Sequence, residues 1–176
     1  VEDKAVVPLL YEGRYVEIEQ DENAMDLWFE KHTSGLTDDQ KADLKKKYAR
    51  AKMLDSLEQV IYKRALDISE HYRSNWQGTG FKAQLVARSK KAALQYDSFL
   101  KEIGFVTSDV IISPPDMREG YEETEKASDE VVAFWERMLK KYGSEDEYTK
   151  RLIHQFKYGN DPEILIVVDK LLTGFD

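Results

Sequence analysis

The fold is decided by the stretch Ile164-Leu-Ile-Val-Val-Asp-Lys-Leu-Leu-Thr-Gly-Phe-Asp176, which closes the sequence. Its first five residues are all apolar, and an unbroken run of this kind predicts a β-strand buried on both faces. Ligands of open α/β sheets bind just beyond the carboxyl ends of the strands. The loop after this strand carries Thr173, Gly174 and Asp176, which offer a hydroxyl, close backbone approach and a carboxylate. The stretch therefore predicts an α/β fold with a ligand-binding loop.

Two further strands and the helices between them extend this pattern. The sequence predicts strands over 81–87 and 109–113. Ser89 is a suitable N-cap for a helix that ends at Gly104, and Ser144 opens a later helix that ends at 159–162. Because strands alternate with helices, we expect right-handed crossovers and a mostly parallel sheet with helices on both faces.

A long helical region precedes the sheet. Thr37-Asp-Asp-Gln40 has the form of a capping box. Apolar residues then recur every three or four positions as far as Tyr72, which predicts one long helix, or two helices with a break near Met53. We expect this region to be a helical insertion beside the α/β part of the chain.

Composition excludes several classes of site. The chain has 176 residues and no cysteine, which excludes disulfides, thiolate metal sites and cysteine nucleophiles. Its three histidines are far apart, so no metal site is predicted. The net charge of −8 argues against a broadly basic nucleic-acid binder. Basic residues nevertheless concentrate in 41–52 and 82–101, so we expect a DNA contact to be a stripe.

Two stretches carry a family resemblance. Val168-Asp-Lys-Leu-Leu-Thr-Gly-Phe-Asp176 resembles motif V of superfamily 2 helicases and translocases, most closely in the motor subunit of type I restriction endonucleases. Gly80-Phe-Lys-Ala-Gln-Leu-Val-Ala-Arg-Ser-Lys-Lys-Ala-Ala-Leu-Gln-Tyr96 is similar to the motif IV region of the same motors. The segments 7–14 and 112–115 also look like that family. Both motifs in this order are more specific than either alone.

The resemblance implies a division of the chain and a set of site residues. Residues 1–36 would be a connecting segment, 37–78 a helical region, and 79–176 the second RecA-like helicase lobe, cut off at motif V. The positions that match DNA-facing residues of the family are Arg88, Ser89, Lys90, Ser113, Thr173 and Gly174. Asp176 matches a position near the ATP ribose, and neither a metal ligand nor a catalytic residue is implied in these 176 residues.

The resemblance also implies a function for a longer parent protein. That parent would be a cytoplasmic, ATP-dependent DNA translocase and endonuclease, with ATP and Mg²⁺ as cofactors. Its partners would be double-stranded DNA and the modification and specificity subunits, with no membrane contact. An internal start and a stop within a motif are expected of a fragment. ATP hydrolysis needs a phosphate loop with its lysine and an acidic Walker B strand; the sequence has neither, so the fragment is expected to be inactive alone and to hold no cofactor.

Plainer interpretations remain open at each position. Arg88, Ser89 and Lys90 are also compatible with an ordinary capped helix and solvated cations, and Ser113 with a strand that stops at prolines. The loop at 173–176 could be a simple turn. Two other functions are open as well: the lobe of a different superfamily 2 DNA translocase, and a non-catalytic module that docks partners through its long helix. An apolar helix stripe that is exposed would favour the module, and a buried stripe would not.

Overall fold

The computed structural model of the chain describes residues 10–14, 35, 37–51, 56–115, 128–168 and 170–171. The backbone divides into two compact units, Val1–Gly35 and Leu36–Asp176. In the first unit, the guanidinium of Arg14 lies 3.1 Å from the carboxylate of Glu12. The second unit contains all the helices and strands described below.

Three parallel strands form the sheet. They are β1 (Ala83–Val86), β2 (Ser108–Ile111) and β3 (Ile164–Val167). Their order is β1-β3-β2, so the last strand of the chain lies in the centre. Its first residue, Ile164, pairs with Ala83 on one side and with Ser108 on the other. The parallel arrangement predicted for these three segments is confirmed. All three strands are shorter than expected, and Val168 lies outside β3.

The central position of β3 in the sheet explains its apolar composition. All four residues of β3 have 0% of their surface exposed. A strand that has a neighbour on each side and is covered on both faces has no polar surface to display, so it can be apolar throughout. The burial on both faces predicted from the sequence is confirmed.

Two helices form the region before the sheet, α1 (Asp38–Ala51) and α2 (Ser56–Asn75). The capping box at the start of α1 is present, because the backbone N–H of Thr37 donates to Gln40 Oε1 at 2.9 Å and that of Gln40 donates back to Thr37 Oγ1 at 3.4 Å. Of the two forms predicted, the pair of helices is the one observed, and the residues between them, 52–55, lie outside the described part.

The apolar stripe of α2 is buried. It packs against the next helix, α3 (Lys90–Ile103), with the rings of Tyr62 and Phe99 edge to face at 5.2 Å. Its buried apolar members are Ile61, Tyr62, Ala65, Leu66 and Tyr72. Burial of this stripe attaches the helical region to the α/β part of the chain.

The crossover helices have the predicted ends. Helix α3 begins after Ser89 and ends at Gly104, whose φ of 73° is the left-handed conformation that favours glycine. Helices α4 (Asp129–Tyr142) and α5 (Glu145–Tyr158) connect β2 to β3. The two connections run across the sheet in opposite directions, for which the right-handed rule predicts α3 on one face and the α4–α5 pair on the other.

Candidate nucleic-acid interface

The loops that follow β1 and β2 meet at one edge of the sheet, which we name the carboxyl edge and define as residues 87–90 and 112–115. Parallel strands end on the same side, so their following loops converge there. The ammonium group of Lys90 donates to the backbone oxygen of Pro114 at 2.8 Å and thus joins the two loops directly. The structure therefore brings together the predicted residues of the motif IV segment and of the Ser113 loop.

The helix start at this edge has the geometry that anion binding needs. Ser89 is extended, with φ −157° and ψ 161°, and its Oγ accepts a hydrogen bond from the backbone N–H of Ala92 at 3.2 Å. The serine hydroxyl keeps its proton as a donor while its oxygen acts as the cap. The first N–H groups of a helix have no intrahelical acceptor and carry the positive end of the helix dipole. A phosphate placed beside Ser89 would meet both kinds of donor.

The three cations near this helix start are in different situations. Arg88 is exposed and makes no hydrogen bond or ion pair with any residue that the structure describes. The ammonium group of Lys90 already donates a hydrogen bond to the Pro114 carbonyl oxygen. Lys91 is exposed, with its ammonium group 3.8 Å from the carboxylate of Glu130 on α4. Arg88 is therefore the side chain most available to an incoming anion.

Ser113 is held mainly through its backbone. Its carbonyl oxygen accepts a hydrogen bond of 2.9 Å from the indole Nε1 of Trp135 on α4, and its side chain is half-buried. This bond fixes the course of the loop after β2, and Trp135 itself is buried. The predicted role of Ser113 beside DNA stays a prediction, at a position that lies on the carboxyl edge.

The loop after β3 is described only at Lys170 and Leu171. The ammonium group of Lys170 pairs with the carboxylate of Glu145 at the start of α5. The side-chain amide of Gln84 on β1 donates to the backbone oxygen of Leu171 at 3.0 Å. Leu171 has a φ of 63°, which is uncommon for a residue with a branched side chain and marks a sharp turn. The predicted residues Thr173, Gly174 and Asp176 lie outside the described residues, as does Asp169.

The opposite edge of the sheet is occupied by a network of internal hydrogen bonds. Glu163 accepts from the side-chain amide of Gln77 at 2.9 Å and from the backbone N–H of Thr107 at 2.9 Å. Gln77 also donates to the backbone oxygen of Phe105 at 3.0 Å, and Thr107 Oγ1 donates to Asp161 at 2.7 Å. These polar groups are used to join the ends of α2, β2 and β3, which leaves the carboxyl edge as the better candidate interface.

An open groove of about 780 Å³ lies between α3 and the α4–α5 pair, beside β2. Asp109 lines it, and burial raises the pKa of this carboxyl group above its ordinary value. Sequence reasoning did not single out Asp109, because a carboxylate on a strand gives no local signal of its burial. Within the described ranges, no group of three histidine or carboxylate side chains could hold a metal ion. None of the described helices is long and apolar enough to span a bilayer.

Comparison with known proteins supports the resemblance. The chain is 29% identical, over 97% of its length, to a Methanocaldococcus jannaschii protein named type I restriction enzyme MjaIXP endonuclease subunit. It is 31% identical, over 62% of its length, to the MjaVIIIP endonuclease subunit of the same organism. The matches span only 15% and 11% of these curated relatives. No protein-family profile matches the chain, and no solved structure matches it. The predicted resemblance to the endonuclease subunits of type I restriction enzymes is therefore confirmed.

Proposed function

We propose that this chain is part of the DNA-translocating and DNA-cleaving subunit of a type I restriction-modification enzyme. Within that subunit it forms much of the second RecA-like motor lobe, which contacts duplex DNA and borders the ATP cleft. The relatives support the enzyme class through their names. The observation that carries the DNA contact is the carboxyl edge, where the exposed guanidinium of Arg88 adjoins the capped start of α3.

This edge suits a phosphate backbone better than it suits bases. Backbone N–H groups at a helix start, a hydroxyl and a guanidinium all recognise phosphate oxygens, and they do so without reading sequence. A motor that moves along DNA needs contacts of this kind, because they recur at every step of the duplex. Choice of the DNA sequence then belongs to another subunit, in agreement with specificity and modification subunits as the proposed partners.

In the proposed motor, two lobes alternate between a closed and an open arrangement, and alternating grips pull duplex DNA past the complex. ATP hydrolysis, with Mg²⁺, supplies the free energy for this cycle. The sequence contains no phosphate loop, and the described residues contain no metal-binding group. The nucleotide and its metal would therefore be held mainly by the other lobe, with Asp176 as the contribution of this one. The proposed setting of such an enzyme is the cytoplasm.

A salt titration of the full-length subunit tests the DNA contact. We expect Arg88→Gln to weaken duplex binding and to lower the log–log salt slope by about 0.9, the value for one phosphate contact. Arg64→Gln is the matched control, because Arg64 is also exposed but lies on α2. An unchanged affinity and slope for Arg88→Gln would mean that the carboxyl edge does not touch DNA.

A nucleotide titration tests the role proposed for Asp176. A hydrogen bond from a ribose hydroxyl to a carboxylate is worth roughly 1.5–3 kcal/mol. Its loss in Asp176→Ala should therefore raise the Michaelis constant for ATP by about tenfold to a hundredfold. If the Michaelis constant and the maximal rate both match the wild type, Asp176 is a loop residue without a nucleotide contact.

The buried stripe of α2 disfavours the alternative of a docking module. Such a module would need apolar residues of the helix at the surface, whereas Ile61, Ala65 and Tyr72 are buried in the packing of α2. A DNA-cleavage assay distinguishes the proposed restriction subunit from a different superfamily 2 translocase. A restriction subunit should cleave unmodified DNA when its partner subunits and ATP are present, and a translocase of another class should move on DNA without cutting it.

A further inference from the structure

Two described residues of the loop after β3 are held by groups from elsewhere in the fold. The ammonium group of Lys170 pairs with the carboxylate of Glu145, which is the first residue of α5. The backbone oxygen of the next residue, Leu171, accepts a hydrogen bond of 3.0 Å from the side-chain amide of Gln84 on β1. The partners lie 25 and 87 positions away in the sequence. The start of the loop is therefore anchored at two consecutive residues by two separate elements.

The chain turns toward β1 directly after β3. Leu171 lies four positions after Val167, the last residue of β3, and an extended chain of that length would carry it about 13 Å beyond the strand. Gln84 lies opposite Leu165 in the register, two positions before the end of β3. Its side chain nevertheless reaches the backbone oxygen of Leu171, whose φ of 63° marks the turn. The loop therefore begins with a turn that Gln84 binds.

The two anchors lie on opposite sides of the central strand. The strand β1, which carries Gln84, pairs with one side of β3, and β2 pairs with the other. Helix α5 starts beside β2, because the hydroxyl of Tyr148 near its beginning donates to the carbonyl oxygen of Val110, which points away from β3. Glu145 therefore holds the loop from the side of β2, and Gln84 holds it from the side of β1. Restraints from two sides limit movement of the loop across the sheet more than either restraint alone.

We propose that Gln84 and Glu145 are positioning residues, which set where the loop after β3 meets a DNA phosphate. The inference rests on the proposed function, which gives Thr173 and Gly174 of this loop a DNA contact. Gln84 and Glu145 act through the two loop residues that they bind, and they touch neither DNA nor nucleotide. Neither belongs to the loop itself, and the family resemblance assigns no role to either.

Chain geometry gives the anchors a short range. Thr173 follows Leu171 by two positions, and a chain spans at most about 3.6 Å per residue, so their Cα atoms lie no more than about 7 Å apart. Asp176 follows Leu171 by five positions, which allows a separation of up to about 18 Å. Loss of an anchor should therefore disturb the DNA contacts of the loop more than its nucleotide contact.

The proposed loop contacts differ in charge from the contact of Arg88. Thr173 and Gly174 would offer a hydroxyl and a backbone N–H, which are neutral donors. The salt slope of binding counts the phosphates that lysine or arginine neutralises. A displaced loop should therefore weaken duplex binding and leave the slope unchanged, whereas Arg88→Gln should lower both the affinity and the slope.

Gln84→Met tests the anchor on β1, because methionine keeps the length of the side chain and cannot donate to Leu171. The full-length subunit alone is titrated calorimetrically with a random-sequence duplex at several salt concentrations, which gives the dissociation constant and the active fraction of the protein separately. We expect the dissociation constant to rise about threefold to tenfold, the effect of about one neutral hydrogen bond, and the salt slope to stay unchanged. Gln155→Met is the matched control and should bind like the wild type, since Gln155 is exposed on α5.

Three results would overturn the role of Gln84. The first is a dissociation constant equal to that of the wild type at every salt concentration. The second is a lower active fraction with an unchanged dissociation constant, which would mean that Gln84 only supports folding. The third is a lower salt slope, which would mean that the substitution removes a cation contact and not a neutral one.

Lys170→Met tests the anchor on α5 from the side of its partner, because a neutral residue in place of Glu145 would release a cation near the DNA. Loss of the anchor should raise the dissociation constant about threefold to tenfold without a change in slope. A slope lowered by about 0.9 would make Lys170 a phosphate contact itself, and an unchanged dissociation constant would show that the pair holds nothing that binds DNA. Either result contradicts the role of Glu145. Lys150→Met is the matched control, since Lys150 is exposed on α5.

The same titration of Arg88→Gln separates this inference from the proposed function. A subunit that responds to Arg88→Gln, and to neither Gln84→Met nor Lys170→Met, contacts DNA at the carboxyl edge, and only the positioning role is refuted. A subunit that responds to none of the three substitutions does not bind DNA in the proposed way, and both the function and the positioning role are refuted.

Discussion

Lys90 and Pro114 are joined by a hydrogen bond of 2.8 Å between an ammonium group and a backbone carbonyl oxygen. Lys90 is the first residue of α3, and Pro114 belongs to the loop that follows β2. The bond links two loops of the carboxyl edge across 24 positions of the sequence. It gives Lys90 a structural role, whereas Arg88, two positions earlier, makes no hydrogen bond or ion pair with the described residues.

Lys90→Met should destabilise the loop after β2, because the methionine side chain keeps much of the lysine length and loses the donor. A hydrogen bond of this type contributes about 1 kcal/mol, and partial exposure of Lys90 keeps the value near that level. Thermal unfolding measures the loss, and limited proteolysis should find the segment 112–115 more accessible. Arg88→Gln should change neither property. Equal stability of Lys90→Met and wild type would show that the bond contributes nothing in solution.

Tyr148→Phe should destabilise the second unit by about 1–3 kcal/mol, the cost of leaving a buried acceptor without a partner. Tyr148 is 1% exposed, and its hydroxyl donates to the outward carbonyl oxygen of Val110. Phenylalanine keeps the ring contacts with Trp135 and removes only this donor. Chemical denaturation measures the change. Tyr158→Phe is the control, since Tyr158 is 75% exposed, and a similar loss in both variants would contradict the assignment to the hydroxyl.

Local sequence signals predicted the helices and strands. They did not predict contacts between residues that are distant in the sequence. Thr37, Ser89 and Ser144 act within four residues of their own positions, and all three were identified as caps. The central place of β3 was not predicted, although its apolar composition required cover on both faces. An apolar strand shows that it is covered without showing which strands flank it.

In the candidate site, too, the sequence predicted positions that follow from local signals and missed contacts between distant residues. Arg88, Ser89 and Ser113 follow two of the predicted parallel strands, so their position at one edge follows from the topology. The bond from Lys90 to Pro114 depends on how two separate loops approach, and no spacing in the sequence encodes that distance. The exposure of Val86 was also missed, because Val86 and Leu85 look equally apolar in sequence and differ only after folding.

Gly159→Ala should destabilise the end of α5. A Cβ at this position would lie 2.8 Å from the backbone oxygen of Gln155, and backbone atoms cannot yield as a flexible side chain can. The overlap should cost about 1–3 kcal/mol. The carbonyl oxygen of Gly159 also accepts a hydrogen bond from Lys82, so a shift there would disturb a contact beside β1. Denaturant unfolding checks the loss, with Gly13→Ala as the control because its added Cβ has nothing within 4 Å. Equal stability of Gly159→Ala and wild type would contradict the overlap.

Asp109→Asn should stabilise the protein at neutral pH. Burial raises the pKa of Asp109 above its ordinary value of 3.8, and Lys101 and Lys141 only partly oppose the effect. A raised pKa means that the folded state prefers the protonated carboxyl group, so this group favours folding fully below pH 3.8. That contribution is lost as the pH rises through the folded pKa, after which the ionised group imposes a constant cost.

The asparagine side chain cannot ionise, so the variant avoids this cost while keeping the size of the side chain. The difference in unfolding free energy between Asp109→Asn and wild type should therefore be largest at neutral pH. It should shrink as the pH is lowered through the range between the raised pKa and 3.8. Denaturant titrations of both proteins from neutral pH to about pH 3 give the comparison, since this range covers the ordinary carboxyl pKa. A difference that stays constant over the range, or grows toward acid, would show that burial does not control the ionisation of Asp109.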